Sequence, residues 1–222
     1  MDVRKIEAVN PHDTAAVEDA FARIEPQPVA CCNWADRYPY APCVSFRMFH
    51  TGAVLMLRFD VVERCTAAAA VEDNGPVWQD SCVEFFIAPD DGSYYNFEIN
   101  CIGTLLLSNR RGRNVDVIQA SPEVLALVKR TPSLPRAAFA ERRGDNRWSV
   151  TAAIPARALF RHSFESWDGL EARMNLYKCG DNLSEPHFLS WSPISTPSPD
   201  FHRPEFFSPV RFEKQIERLK IE

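Results

Sequence analysis

The chain has 222 residues, 45% of them apolar, which is enough to bury the core of one β-sandwich domain. Its 25 Lys and Arg are scattered among 30 Asp and Glu for a net charge of −5, leaving no continuous basic stripe to neutralise phosphates, so nucleic acid is not an expected partner. No apolar run approaches the roughly 18 residues of a membrane-spanning helix, and the start, MDVRKIEAVNPHDTAAVEDAF, lacks the apolar core of a signal peptide, so no membrane partner and a cytoplasmic address are expected.

From the N-terminus, residues 1–32 read as an extension packing on a single domain that spans 1–222, and Asp13 to Ile24 carries apolar residues at helical spacing. Ala53 to Val61 reads as a strand, with Leu55, Leu57, Phe59 and Val61 alternating on one face. Further strand patterns are Cys82 to Ile87, Tyr95 to Leu107, Trp148 to Ile154, Arg173 to Cys179 and Val210 to Phe212. Ser121 to Lys129 opens with Ser-Pro-Glu, a helix start, and Pro155 to Phe160 fits one short turn. Gly52, Gly92 and Gly144 fall where hairpin turns are needed. Short strands, many turns and little helix predict an all-β chain, an antiparallel, jelly-roll-like β-sandwich with a few short helices. The 7 cysteines are odd in number and show no C-x-x-C spacing, so free thiols are expected.

The best-determined local structure is the stretch Trp78 to Asn100, where two strand patterns flank Pro89-Asp-Asp-Gly92. Matching the apolar faces Val83, Phe85, Ile87 and Tyr95, Phe97, Ile99 pairs 83 with 99 and 85 with 97, which sets Glu84 opposite Glu98. Like charges directly across a strand pair are destabilising, so the two carboxylates call for an arginine such as Arg58 or Arg110, a metal ion, a shared proton or a hydroxyl-rich ligand. Trp78 precedes the first strand, where a loop can present its ring beside this polar face. A sugar, with one apolar C–H face and a rim of hydroxyls, suits such a combination.

The stretch V-W-Q-D-S-C-V-E-F-F-I with Y-Y-N-F-E-I-N-C-I-G-T resembles the family 9 carbohydrate-binding modules, and the resemblance continues through W-S-V-T-A-A-I-P to H-F-L-S-W-S-P-I and F-H-R-P-E-F-F-S. It implies a sandwich that holds a glycan between two tryptophans, here Trp78 and Trp191, with Glu84 accepting from sugar hydroxyls and Glu98, Asn100 and one of Arg110, Arg111 or Arg113 adding polar contacts. The implied partner is a mono- or oligosaccharide, derived from xylan or cellulose, bound without catalysis beside xylanases in polysaccharide catabolism. No cofactor is required; structural calcium is the one ion the resemblance suggests, with Asp73, Asn74, Asp80, Asp90 and Asp91 as oxygen donors in no defining spacing.

Three rival readings remain at this level. Glu84 and Glu98 could serve a glycoside hydrolase, since cross-strand carboxyls can reach the roughly 5 to 5.5 Å of a retaining pair; the neighbouring Asn96 and Asn100 argue for a hydrogen-bonding surface instead of the apolar pocket that raises a catalytic acid's pKa. No G-x-S-x-G elbow accompanies the histidines, of which His187 and His202 flank Trp191. Met48, His50 and Met56 offer axial ligands for a haem.

Overall fold

The computed structural model describes residues 1–7, 9–89 and 91–214; the candidate calcium ligand Asp90 lies outside the described residues. Its elements in chain order are β1 (Asp2–Val3), α1 (Thr14–Ala22), β2 (Gln27–Pro28), β3 (Cys43–His50), β4 (Val54–Ala68), β5 (Cys82–Ala88), β6 (Tyr94–Asn100), β7 (Leu105–Arg110), β8 (Ile118–Gln119), α2 (Pro122–Leu127), β9 (Lys129–Pro132), β10 (Phe139–Pro155), β11 (Glu171–Cys179), β12 (Phe188–Ser190) and β13 (Ser208–Phe212). One sheet runs β1-β13-β11-β5-β6-β7-β8, with β12 also paired to β11; the other runs β2-β3-β4-β10-β9. All strand pairs are antiparallel except β1 with β13, and the whole is an antiparallel β-sandwich.

Period-two alternation makes the sandwich. Val83, Phe85 and Ile87 of β5, Phe97 and Ile99 of β6 and Leu176 of β11 point inward and meet Phe46 and Met48 of β3, Leu57 and Phe59 of β4 and Val150 of β10 in one core. Burying each such side chain stabilises the fold by about 1.5–3 kcal/mol before entropy is counted. The smaller sheet's outer face is covered by α1: the Asp13 side chain accepts from Ala15 N and Ala16 N at its N-terminus, and Val17, Ala20 and Phe21 pack on Phe49 and Met56. The N-terminal segment also gives each sheet a short strand, β1 beside β13 and β2 beside β3.

One charged cluster lies on the inner side. Lys178, fully buried at the end of β11, donates to His187 Nε2 at 2.7 Å and to the Cys179 carbonyl at 2.7 Å, and its Nζ stands 2.8 Å from Glu63 Oε2 of β4. The ammonium thus makes two hydrogen bonds and one close ion pair. Glu63 Oε1 accepts from Trp148 Nε1 at 2.7 Å and Thr66 Oγ1 at 2.9 Å. His187 must accept at Nε2, so its Nδ1–H donates to the Glu185 carbonyl at 2.9 Å; burial and then the neighbouring ammonium lower its pKa to about 3, and the ring is neutral.

Several expectations change. The run from Tyr95 to Leu107 is two strands, because Cys101 to Thr104 form a turn in which Gly103 adopts φ +84°. Gly144 serves no hairpin; it sits where the β10 register shifts against β4, a bulge, since β10 runs 17 residues along a 15-residue partner. Strand β3, alternating less cleanly in sequence, completes the second sheet. The haem reading fails on geometry: Met48 points into the inter-sheet core, Met56 points out beneath α1, and His50 is buried against Phe212, so the three line no common cavity.

Candidate functional site

The larger sheet turns a second set of residues outward. The hairpin of β5 and β6 has Glu84 directly across from Glu98, Val83 from Ile99 and Phe85 from Phe97. Strand β11 sets Tyr177 beside Glu84, and β7 sets Leu106 beside Glu98, so Tyr177, Glu84, Glu98 and Leu106 form one row across the outer face. Part of that face is roofed by Trp34, Ile194, Phe201 and Phe207 packed on Phe86, Tyr94 and Tyr177, with Trp34 Nε1 donating to the Thr196 carbonyl at 2.8 Å. What remains open is a cleft of about 570 Å³ whose lining includes both glutamates, within the range usual for ligand pockets.

Trp78 stands at the rim, 37% exposed, on a 3₁₀ turn (Val77–Gln79). Its carbonyl accepts from Asp181 N at 3.3 Å and lies 3.5 Å from Cys179 Sγ, tying the turn to the loop after β11. Tyr38, Phe188 and Phe201 supply further aromatic surface, Tyr38 meeting Phe188 edge-on at 4.8 Å. Arg110, Arg113, Asp200 and His202 supply polar groups: Arg110 Nη1 donates to the Arg113 carbonyl at 2.9 Å, and Arg113 pairs with Asp200 at 3.2 Å. Arg110 Nε is buried without a hydrogen-bond partner, a donor in want of an acceptor.

The two floor carboxyls are starved of donors. Among the described residues Glu84 receives a hydrogen bond only from the Cys179 thiol, Sγ to Oε1 3.1 Å, and Glu98 from Asn96 Nδ2 at 2.8 Å. Among the described residues neither has an arginine or lysine within ion-pair distance. Burial and then the charge of Glu98 hold the Glu84 carboxyl well above the usual range, and burial pushes Glu98 up to about 7 against the pull of Asn96 and Arg110. Asp181, also lining the cleft, is raised by burial to about 6. His202, which shares a 3.0 Å hydrogen bond with Tyr94 and is lowered to about 3 by burial and the neighbouring arginines, is neutral.

Of the residues singled out in the sequence, Trp78, Glu84, Glu98 and Arg110 come together here. Asn100 does not: its Nδ2 donates to the Ala70 carbonyl and Asp80 Oδ2, its Oδ1 accepts from Thr104 N, and the side chain is fully buried. Trp191 also lies elsewhere. It meets Phe46 edge-on at 5.9 Å, packs against the inter-sheet core and lines a separate groove with Arg47 and Met48. Arg58 is drawn away from the pair by Glu18 and Asp60, and Arg111 stands 3.8 Å from Asp116. The expectation that Asn96 and Asn100 form a hydrogen-bonding surface in place of a pKa-raising pocket holds only for Asn96, which donates to Glu98; Asn100 is spent beneath the Trp78 turn, and burial raises both carboxyls.

The cleft's Asp181, Asp200, Tyr38 and Phe188 were not picked out from sequence. They arrive on loops whose approach depends on the β11–β5 pairing and on the roof, and no local pattern announces either. The described candidate calcium donors, Asp73, Asn74, Asp80 and Asp91, do not fit an ion. Both Asp73 oxygens face the Arg130 guanidinium at 2.9 and 2.6 Å. Asp80 accepts from Ala69 N, Ala70 N and Asn100, Asn74 Oδ1 from Leu107 N, and Asp91 from Ser93, with His162 at 3.2 Å. Oxygens so occupied, in separate places, offer calcium no shell.

Comparison with known proteins agrees with this architecture. A candidate carbohydrate-binding protein from Bacteroides uniformis ATCC 8492, known from its crystal structure, is 46% identical, with a TM-score of 0.91 over 96% of this chain and 98% of that one. A carbohydrate binding module of family 9 from Caldicellulosiruptor kristjanssonii shares the fold at 11% identity: its complex with glucose gives a TM-score of 0.63 over 99% and 98% of the two chains, and its complex with cellotriose 0.62 over 100% and 97%. A search of curated proteins found no match. The profile of carbohydrate-binding family 9 matches residues 15–212, and the chain belongs to that family.

Proposed function

We propose that this protein holds a neutral mono- or oligosaccharide in the Trp78 cleft and does not cleave it. The observation that carries the reading is a rim tryptophan, 37% exposed, beside a floor of two buried carboxyls that the protein itself leaves short of partners. The indole offers a flat face to sugar C–H bonds, while a protonated carboxyl both donates to and accepts from hydroxyls, and Arg110 adds donors. Wherever Glu84, Glu98 or Asp181 ionises it repels a uronate, and Asp200 already occupies Arg113, so a neutral sugar is the expected ligand. The glucose and cellotriose bound by the Caldicellulosiruptor module make gluco-configured units from plant polysaccharide the first ligands to try, and a role beside polysaccharide-degrading enzymes follows.

Raised carboxyl pKa values are also what a glycoside hydrolase needs. However, Glu84 and Glu98 rise side by side from one floor, whereas hydrolysis needs the two groups to flank the scissile bond. Calorimetric titration with glucose and cellotriose tests the proposal. Trp78→Ala should weaken binding at least about tenfold, about 1.4 kcal/mol, with the melting temperature little changed. Equal binding by both proteins would remove Trp78 from the site, and aryl-glycoside turnover that vanishes in Glu84→Gln would favour the hydrolase.

A further inference from the structure

Beneath the rim of the cleft Glu84 belongs to a second cluster as well, with two cysteines that sugar recognition does not use. Cys82 and Cys179 are direct cross-strand partners on β5 and β11, and Glu84 is the next outward residue of β5. Their Sγ, Sγ and carboxylate atoms all lie within 4.8 Å of one another, with Cys179 Sγ 3.1 Å from Glu84 Oε1. We propose that these three side chains form a site for a thiophilic divalent cation of the Zn²⁺ class.

Two thiolates and one carboxylate are a zinc-type donor set, and sulfur argues against calcium or magnesium. A tetrahedral ion with Zn–S about 2.3 Å and Zn–O about 2.0–2.2 Å sets its ligand atoms roughly 3.5–3.8 Å apart, so side-chain rotation alone can bring the trio into place. All three groups are buried, yet Cys179 and Glu84 also line the cleft, which gives an ion a way in and leaves a fourth position open on that side, near Asp181. Glu84 has no cation beside it and only a thiol, a weak donor, for a partner. Binding displaces the protons of both thiols, and any on Glu84, to solvent. The ion then supplies the positive charge that no lysine or arginine brings.

The test uses the full chain, reduced and stripped with chelator, titrated with Co²⁺ in the absence of sugar so that its outcome is independent of the saccharide reading. Wild type should take up one Co²⁺ and show a thiolate-to-cobalt charge-transfer band with the visible bands of a tetrahedral site, and added Zn²⁺ should erase both. Cys82→Ser, Cys179→Ser and Glu84→Gln should each lose the band or weaken uptake at least tenfold. The triple variant Cys31→Ser, Cys32→Ser, Cys43→Ser, which alters only less buried thiols, should keep it. A wild-type protein without the band, a band that survives in Cys179→Ser, or one that disappears in the triple variant overturns the site.

Discussion

Two buried acidic clusters lie on opposite faces of the same sheet and are treated in opposite ways. On the inner face Glu63 meets Lys178, Trp148 and Thr66; burial pushes its carboxyl up, but the Lys178 ammonium together with hydrogen bonds from Lys178, Ser81 and Trp148 outweighs burial and leaves the pKa below its ordinary value. On the outer face Glu84 and Glu98 meet each other, and among the described residues nothing of opposite charge comes near enough to pair. Both regions remove carboxyls from water. In the first the protein supplies the compensation itself, which makes a fixed joint between β4 and β11. In the second, compensation is left to protons or to whatever enters the cleft, and that is the difference between a structural pair and the binding surface proposed for the cleft.

The sharpest way to break this contrast is Lys178→Met. It should cost about 3–5 kcal/mol, because Glu63 would be left buried without its counter-charge, and chemical denaturation would show it. Adding Glu63→Leu should return most of the loss. Next, Trp191→Ala should cost about 1.5–3 kcal/mol through lost packing on Phe46 while leaving sugar affinity unchanged, the mirror image of Trp78→Ala.

The outer cluster has its own signature in pH. Glu98 has its pKa raised to about 7 in the folded chain, so the native state holds a proton that the unfolded chain gives up at lower pH. Its contribution to stability is whole below the unfolded value, about 4.3, and is lost as pH rises toward about 7. The stability of Glu98→Gln relative to wild type should therefore rise across that window and level off above it, as read from denaturation midpoints at several pH values. The smallest effect is expected at Arg58, whose partner Glu18 is half exposed: Arg58→Ala should change stability by less than about 1 kcal/mol and leave both clusters untouched.

Much of the candidate site was legible because it rests on one hairpin. Alternation of Val83, Phe85 and Ile87 against Tyr95, Phe97 and Ile99, with turn residues between, is local information, and it is enough to set Glu84 opposite Glu98. Lys178 could not be read in the same way. It occupies an inward position in an apolar strand, where its sequence neighbours suggest a leucine, and its meaning comes from Glu63, which lies more than a hundred residues away in the chain. Asn100 and Trp191 were misjudged for a related reason: an amide or an indole beside a candidate site serves either the ligand or the fold, and the choice depends on which distant groups, here Asp80 and Phe46, reach it first.

The amino-acid order by itself determined the strand character, the all-β class, the hairpin register and the outward face on which the two glutamates stand, since a period of two and the chemistry of turns act over a few residues. Only the tertiary structure decided that this face is roofed by Phe201 and Ile194, that Asp181 joins it, that burial raises both glutamate carboxyls, and that Trp191 packs against the core, away from the cleft. Burial and electrostatic compensation depend on everything that packs within a few ångströms, and most of that is supplied by segments far away in the chain.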